Sequence, residues 1–271
     1  MNNNHVFPTL TLHLVITVFF FLTVVPVSHC QDDDNDDQYF SNCSIPYPFR
    51  CGSMVLKLSY PFWGGDRPQY CGREEFEIKC QYNEYHFIES EKQKFRVLSI
   101  SDSHPIMTIV RDDLWNSFCP GIVKQDTVFD HSHFNLYNPN VRELSFFHDC
   151  QKEIHANCFN CSLQDEGIIH GFYNVSEPDL SFPKICREEI KVPVLLTALE
   201  DLNGTGNLRE VLNKGFEVEY LADFRLCFAC NSSGGTCGSK PSNPRQFLCF
   251  CGDDEPQMSI CPGMFIFLPL F

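Results

Sequence analysis

Sixteen cysteines in 271 residues constrain this chain more than any other feature. That density is foreign to the reducing cytosol and marks a protein that closes disulfides in an oxidising compartment. Fourteen lie between Cys43 and Cys251. Six are Cys43, Cys51, Cys71, Cys80, Cys119 and Cys150, and eight are Cys158, Cys161, Cys186, Cys227, Cys230, Cys237, Cys249 and Cys251. Both counts are even, so each half can close its own bridges on either side of a boundary near residues 151–157, although spacing does not dictate the pairing. Cys261 is then left over, which places the final residues outside the folded unit. Cys227-x-x-Cys230 with Cys249-x-Cys251 also has the look of a four-thiolate zinc site. In an exported chain the bridges outweigh it, and His131-x-His133 is more simply incidental, so no metal ligand is assigned.

The start of the chain agrees with export. Leu10 to Val27 is almost wholly apolar, and small residues precede a cut after Cys30, so residues 1–30 read as a secretory signal peptide. An acidic spacer, 31–42, follows and is expected to be mobile. Five N-x-S/T sequons, at Asn42, Asn160, Asn174, Asn203 and Asn231, are candidate glycosylation sites and point the same way. The expected location is extracellular, in the cell wall space. The apolar tail, 253–271, is far shorter than the ~20 residues a membrane helix needs, so no span is expected beyond the leader.

A net charge of −15 leaves no basic stripe to displace phosphate counterions, which excludes nucleic acid as a partner. The charge is uneven. Cys43 to Cys119 holds nine Lys/Arg against ten Asp/Glu, whereas eleven bases face twenty acids from Pro120 onward. An acidic ligand therefore meets least repulsion in the first part.

Short alternating segments predict strands at Val55–Tyr60, Glu75–Cys80, Tyr85–Ile88, Phe95–Ile100, Ile106–Arg111 and Leu144–His148. Asn207 with Glu210 forms a capping pair ahead of Leu208, Val211 and Leu212, and Gly215 can end that helix. Phe216, Val218 and Tyr220 then alternate with Glu217 and Glu219 as a strand. Val192–Leu199 is apolar and fits strand or helix. The expected fold is mainly β and disulfide-rich, with two small cysteine-rich modules and one or two short helices in the second. The modules are set at 43–150 (recognisable core 43–120) and 151–252.

The stretch Tyr60-Pro-Phe-Trp-Gly-Gly-Asp-Arg-Pro-Gln-Tyr-Cys-Gly72 carries the binding candidates. Glycine and proline shape a rigid loop, and Tyr60, Phe62, Trp63 and Tyr70 beside Arg67 and Arg73 can stack on a sugar ring and grip a carboxylate. Burial as core is the more ordinary fate of any one of these rings. Catalytic patterns are missing: there is no G-x-S-x-G, no H-E-x-x-H, no kinase glycine-rich loop, H-R-D or D-F-G. The adjacent acids Glu74-Glu75 and Asp112-Asp113 point to opposite faces of a strand, and neither forms a catalytic couple. The chain is therefore read as a non-enzyme, with no catalytic residue assigned.

Two blocks then carry a family resemblance. Cys43 to Cys80, with Pro-Phe-Arg-Cys-Gly52 and the aromatic loop, resembles the galacturonan-binding domain of plant wall-associated receptor kinases. That likeness runs on through Phe95-Arg-Val-Leu-Ser-Ile100 and Arg111-Asp-Asp-Leu-Trp115 to Cys119-Pro120. Val192-Pro-Val-Leu195, Val211 to Tyr220, Cys227-x-x-Cys230, Ser233 to Gly238 and Cys249-Phe-Cys-Gly252 resemble the C-terminal module of the same receptors, of the leaf-rust-resistance-locus type. The resemblance implies pectin or oligogalacturonide as ligand, no cofactor beyond calcium bridging an anionic glycan, and a role in plant defence. It also admits a second reading, an ectodomain that recognises a peptide or a receptor kinase as soluble decoy or co-receptor. In the family a membrane span and a kinase follow. This chain ends nineteen residues after Gly252, so it is read as a receptor-type ectodomain without the kinase, a natural truncation or an incomplete gene model.

Overall fold

Strands paired by short turns, with bridges pinning their ends, account for most of the structure. The computed structural model describes residues 33–115, 125–150, 158–163, 167–174, 186–202, 207–252 and 254–262. The expected signal peptide, Cys30, Cys119 and Asn203 lie outside the described residues, as does the last part of the tail.

The chain enters through helix α1 (Asp33–Ser44) and a hairpin of β1 (Tyr47–Cys51) and β2 (Met54–Leu58). The acidic spacer was expected to be mobile, but α1 takes up most of it. The reason is apolar: Tyr39 and Phe40 pack with Cys43, Cys71 and Phe250 in a small cluster. Next come β3 (Lys79–Gln81), β4 (Tyr85–Ser90), β5 (Gln93–Ile100) and β6 (Ile106–Arg111), each paired antiparallel with the next. Phe76 and Ile78 turn inward as their alternation predicts, but Glu74–Phe76 is a 3-10 turn and this segment pairs with Trp63 of the aromatic loop instead of with the sheet.

Strand β7 (Phe134–Leu136) leads to β8 (Val141–Cys150), β9 (Cys158–Leu163), β10 (Gly167–Asn174) and β11 (Cys186–Leu195), the last four forming a sheet of order β11-β8-β10-β9. The ambiguous run Val192–Leu199 is both things: β11 ends at Leu195 and helix α2 (Leu196–Leu202) begins at once. Helix α3 (Leu208–Asn213) has the expected cap, Glu210 N donating to Asn207 Oδ1 at 2.9 Å. It buries Leu208, Val211 and Leu212 with Ala198 and Leu199 against Leu144, Phe146, Ile190, Val192 and Val194 of the sheet.

After α3 the chain crosses back. Strand β12 (Phe216–Tyr220) pairs with β6 on one side and β7 on the other, completing a six-stranded sheet of order β3-β4-β5-β6-β12-β7. Phe216, Val218 and Tyr220 thereby join Phe62, Phe76, Phe95, Phe129 and Phe134 in the largest core. Helix α4 (Phe224–Ser232) and the three-stranded sheet of β13 (Thr236–Lys240), β14 (Asn243–Cys251) and β15 (Asp254–Gln257) close the chain.

Among the described residues six disulfides form: Cys43–Cys71, Cys51–Cys80, Cys150–Cys186, Cys227–Cys237, Cys230–Cys249 and Cys251–Cys261. Two expectations about sulfur are corrected here. Cys150–Cys186 spans the supposed boundary at 151–157, because its cysteines face each other across the β8–β11 ladder. Cys261 is not left over: residues 254–262 fold back on β14 and bring it to Cys251. Cys249, Cys251 and Cys261 have their sulfurs within 4.8 Å of one another, all three committed to bridges. Cys158 and Cys161 stand on β9.

Candidate functional site

The aromatic loop is built around a buried cation. Gly64 and Arg67 exchange backbone hydrogen bonds in a tight turn, and Gly64 sits at φ 139° where an added Cβ would lie 2.0 Å from the Ile78 carbonyl oxygen. That turn points Arg67 inward, to 3 % exposure. Its Nε donates to Phe62 O at 3.2 Å, Nη1 to Ile45 O at 3.3 Å, and Nη2 to Cys43 O at 3.4 Å and Cys71 O at 3.3 Å. Burial lowers its pKa to about 10. Four carbonyl dipoles thus stand in for a counter-ion, and the guanidinium ties three stretches of backbone together instead of presenting a fork to a ligand carboxylate.

The other candidates divide. Phe62 is buried, 1 % exposed, edge-to-face on Phe76 and Tyr220. Trp63 donates its Nε1–H to Arg73 O at 2.7 Å. Tyr70 packs on Tyr39 and Phe250, and its hydroxyl accepts from Asn42 Nδ2 at 2.6 Å. Arg73 pairs with Asp223 at the start of α4. Tyr60 donates its hydroxyl to the same Asp223 oxygen at 3.4 Å, and burial, then Asp223, raises its pKa. The structure therefore brings Tyr60, Arg73 and Asp223 together as a brace between the loop and α4, and it places Phe62 and Arg67 in the interior.

Tyr60 alone of the six also lines the groove of about 430 Å³ beside β2. One wall is Pro46, Lys57, Ser59 and Tyr60; the other is the turn Ser101–Pro105, with Tyr220 and Phe224 between them. The turn is preset by its own hydroxyls, Ser101 Oγ accepting from His104 N at 3.2 Å and Ser103 Oγ lying 2.8 Å from His104 Nδ1. Tyr220 is pushed up to about 12 by burial and then by Asp102. Lys57 is exposed on β2, and Arg50 is its diagonal neighbour on the same face of the hairpin, since Arg50 pairs with Val55 and Pro48 with Lys57. Such diagonals lie about 7–8 Å apart. Among the described residues neither cation has an ion-pair partner, in contrast to Arg73, Lys79, Arg96 and Arg245. Lys57, Ser101, Asp102, Ser103, His104, Tyr220 and Phe224 were not picked out from the sequence. Lys57 is legible as an outward position between Leu56 and Leu58, but the 101–105 turn and Tyr220 meet it only through the β6–β12 pairing.

The comparisons with known proteins bear on this surface. A family model described as wall-associated receptor kinase galacturonan-binding matches residues 39–111, and one described as wall-associated receptor kinase C-terminal matches residues 149–254. The chain is a wall-associated-kinase-type ectodomain. Similar curated proteins, all from Arabidopsis thaliana, are named leaf rust 10 disease-resistance locus receptor-like protein kinase-like 1.3, 1.4 and 2.1. The first is 32% identical over 92% of this chain and 34% of its own length. The second is 29% identical over 74% and 29%, and the third 29% identical over 94% and 40%. The ectodomain thus spans well under half the length of these relatives. No solved structure matches it. Among the described residues no helix is long and apolar enough to cross a membrane.

Proposed function

We propose that this ectodomain binds an acidic wall polysaccharide of the galacturonan class in the groove beside Tyr60, outside the cell and without turning it over. The observation that carries the reading is the coincidence of two exposed cations inside the galacturonan-binding match, without ion-pair partners among the described residues, with an open groove rich in hydroxyls whose lining falls mostly within that match. Arg50 and Lys57 meet carboxylates of neighbouring sugar units. Ser59, Ser101 and Ser103 exchange hydrogen bonds with ring hydroxyls, and the faces of Tyr60 and Phe224 supply apolar contact. Asp102 repels a bare carboxylate, so in this reading calcium is its bridge to the glycan.

The test is equilibrium binding of oligogalacturonides of defined length, against methyl-esterified controls. Affinity should fall as salt rises, because exposed charges are screened, and Arg50→Ala with Lys57→Ala should weaken binding roughly 10-fold, about 1.4 kcal/mol. Affinity unchanged by the double substitution places the ligand elsewhere. A chelator arm reports on calcium.

A further inference from the structure

We propose that Asn231 carries an N-linked glycan whose first sugar lies on the ring of Phe228. Phe228 is 76 % exposed on α4, and among the described residues none covers it. Asn231-Ser232-Ser233 is a sequon, and residues three apart on a helix are surface neighbours. The ring and the acceptor amide therefore share one face. The Asn231 side chain is also held: Nδ2 lies 3.8 Å from Cys227 Sγ and Oδ1 lies 3.3 Å from Cys237 Sγ, so it rests on the Cys227–Cys237 bridge. A glycan starting there begins from a fixed point beside a bare aromatic face, to which the C–H face of a pyranose is complementary.

The sequon at Asn42 shows the contrast. Tyr39 also stands three residues before its acceptor, but that ring is already packed on Tyr70 and Phe250, and the Asn42 amide donates to Tyr70. The Asn231 sequon hydroxyl is equally telling. Ser233 Oγ donates to Cys230 O and accepts from Cys261 N, both at 2.8 Å, so attachment precedes closure of this corner. In the step, a lipid-linked pyrophosphate sugar donor loses its anomeric C–O bond, the electron pair leaving on the pyrophosphate. Nδ2 bonds to the anomeric carbon and gives up one proton. The remaining N–H can still face Cys227.

The inference rests on export, and its test separates the two. The full chain is secreted from eukaryotic cells, its glycopeptides are mapped by mass spectrometry, and melting is compared for wild type, Asn231→Gln, Phe228→Ala and the double variant. Expected are occupancy at Asn231, a fall in Tm of about 2 °C or more on Asn231→Gln, and less than half that fall in the Phe228→Ala background. Occupied sequons elsewhere with Asn231 bare, or an equal fall in both backgrounds, overturns the proposal alone. A retained chain with every sequon bare overturns export with it. Should Asn231→Gln fail to be secreted, folded wild type is trimmed to its first sugar or stripped completely. Trimming should leave Tm unchanged and stripping should lower it; equal Tm values overturn the proposal.

Discussion

Arg67 shows what a single residue can conceal. In the sequence it is the cation at the centre of an aromatic loop; in the fold its nitrogens are engaged on the carbonyls of Phe62, Ile45, Cys43 and Cys71. Removing it leaves buried acceptors unpaired, each costing about 1–3 kcal/mol. Arg67→Ala and Arg67→Lys should both sharply reduce secretion and the denaturation midpoint, whereas Lys57→Ala should leave the unfolding free energy within about 0.5 kcal/mol of wild type. A folded, stable Arg67→Ala protein would refute this account of the loop. His148 supplies the pH counterpart. It is 1 % exposed, and burial lowers its pKa to about 4 from an ordinary 6.5. Because the folded pKa lies below the unfolded one, protons bind the unfolded chain first. Stability should fall as pH drops from about 6.5 towards 4 and level off below, by roughly 3 kcal/mol in all. His148→Phe should flatten that stretch of the stability curve measured by urea denaturation. Parallel curves for the two proteins would remove His148 as the cause.

At the scale of elements, the ends of α3 test whether local signals carry weight here. Asn207→Ala loses a cap that accepts from Glu210 N and should cost about 1 kcal/mol. Gly215→Ala should cost more, for two reasons. Gly215 has φ 69°, which disfavours a side chain, and a Cβ there would lie 2.2 Å from the Ile109 carbonyl oxygen in the neighbouring strand. Thermal melting of the two variants should rank them in that order; the reverse order would mean that the turn into β12 is free to shift. The same comparison explains why this helix was readable in advance and the path of residues 74–78, just ahead of β3, was not. A capping pair acts within one turn of chain, while the backbone partner of Ile78 is Trp63, in a loop whose path depends on Arg67 and two bridges.

For the molecule as a whole, the decisive feature is the return of β12 into the first sheet. A fragment of residues 31–150 keeps β6 but loses Phe216, Val218 and Tyr220, which are buried in the largest core. Secreted alone, it should give an exchange-broadened NMR spectrum and a lost or much lowered melting transition; a native-like melt would show that the sheet closes without its fifth strand. Peptide mapping under non-reducing conditions should recover Cys150–Cys186 and Cys251–Cys261 as linked pairs.

Cysteine density, capping chemistry, short alternating strands and the shaped glycine–proline loop are properties of neighbouring residues, and each was readable without a structure because its cause lies within a few residues of chain. Which cysteines meet, which rings are covered and which cations stay exposed depend on partners far along the chain: Asp223 for Arg73, β6 for β12, residues 254–262 for Cys251. Burial is a property of the assembled surface, so the loop that looked like a binding face became the brace, and the outward-facing Lys57 beside it was left to face solvent.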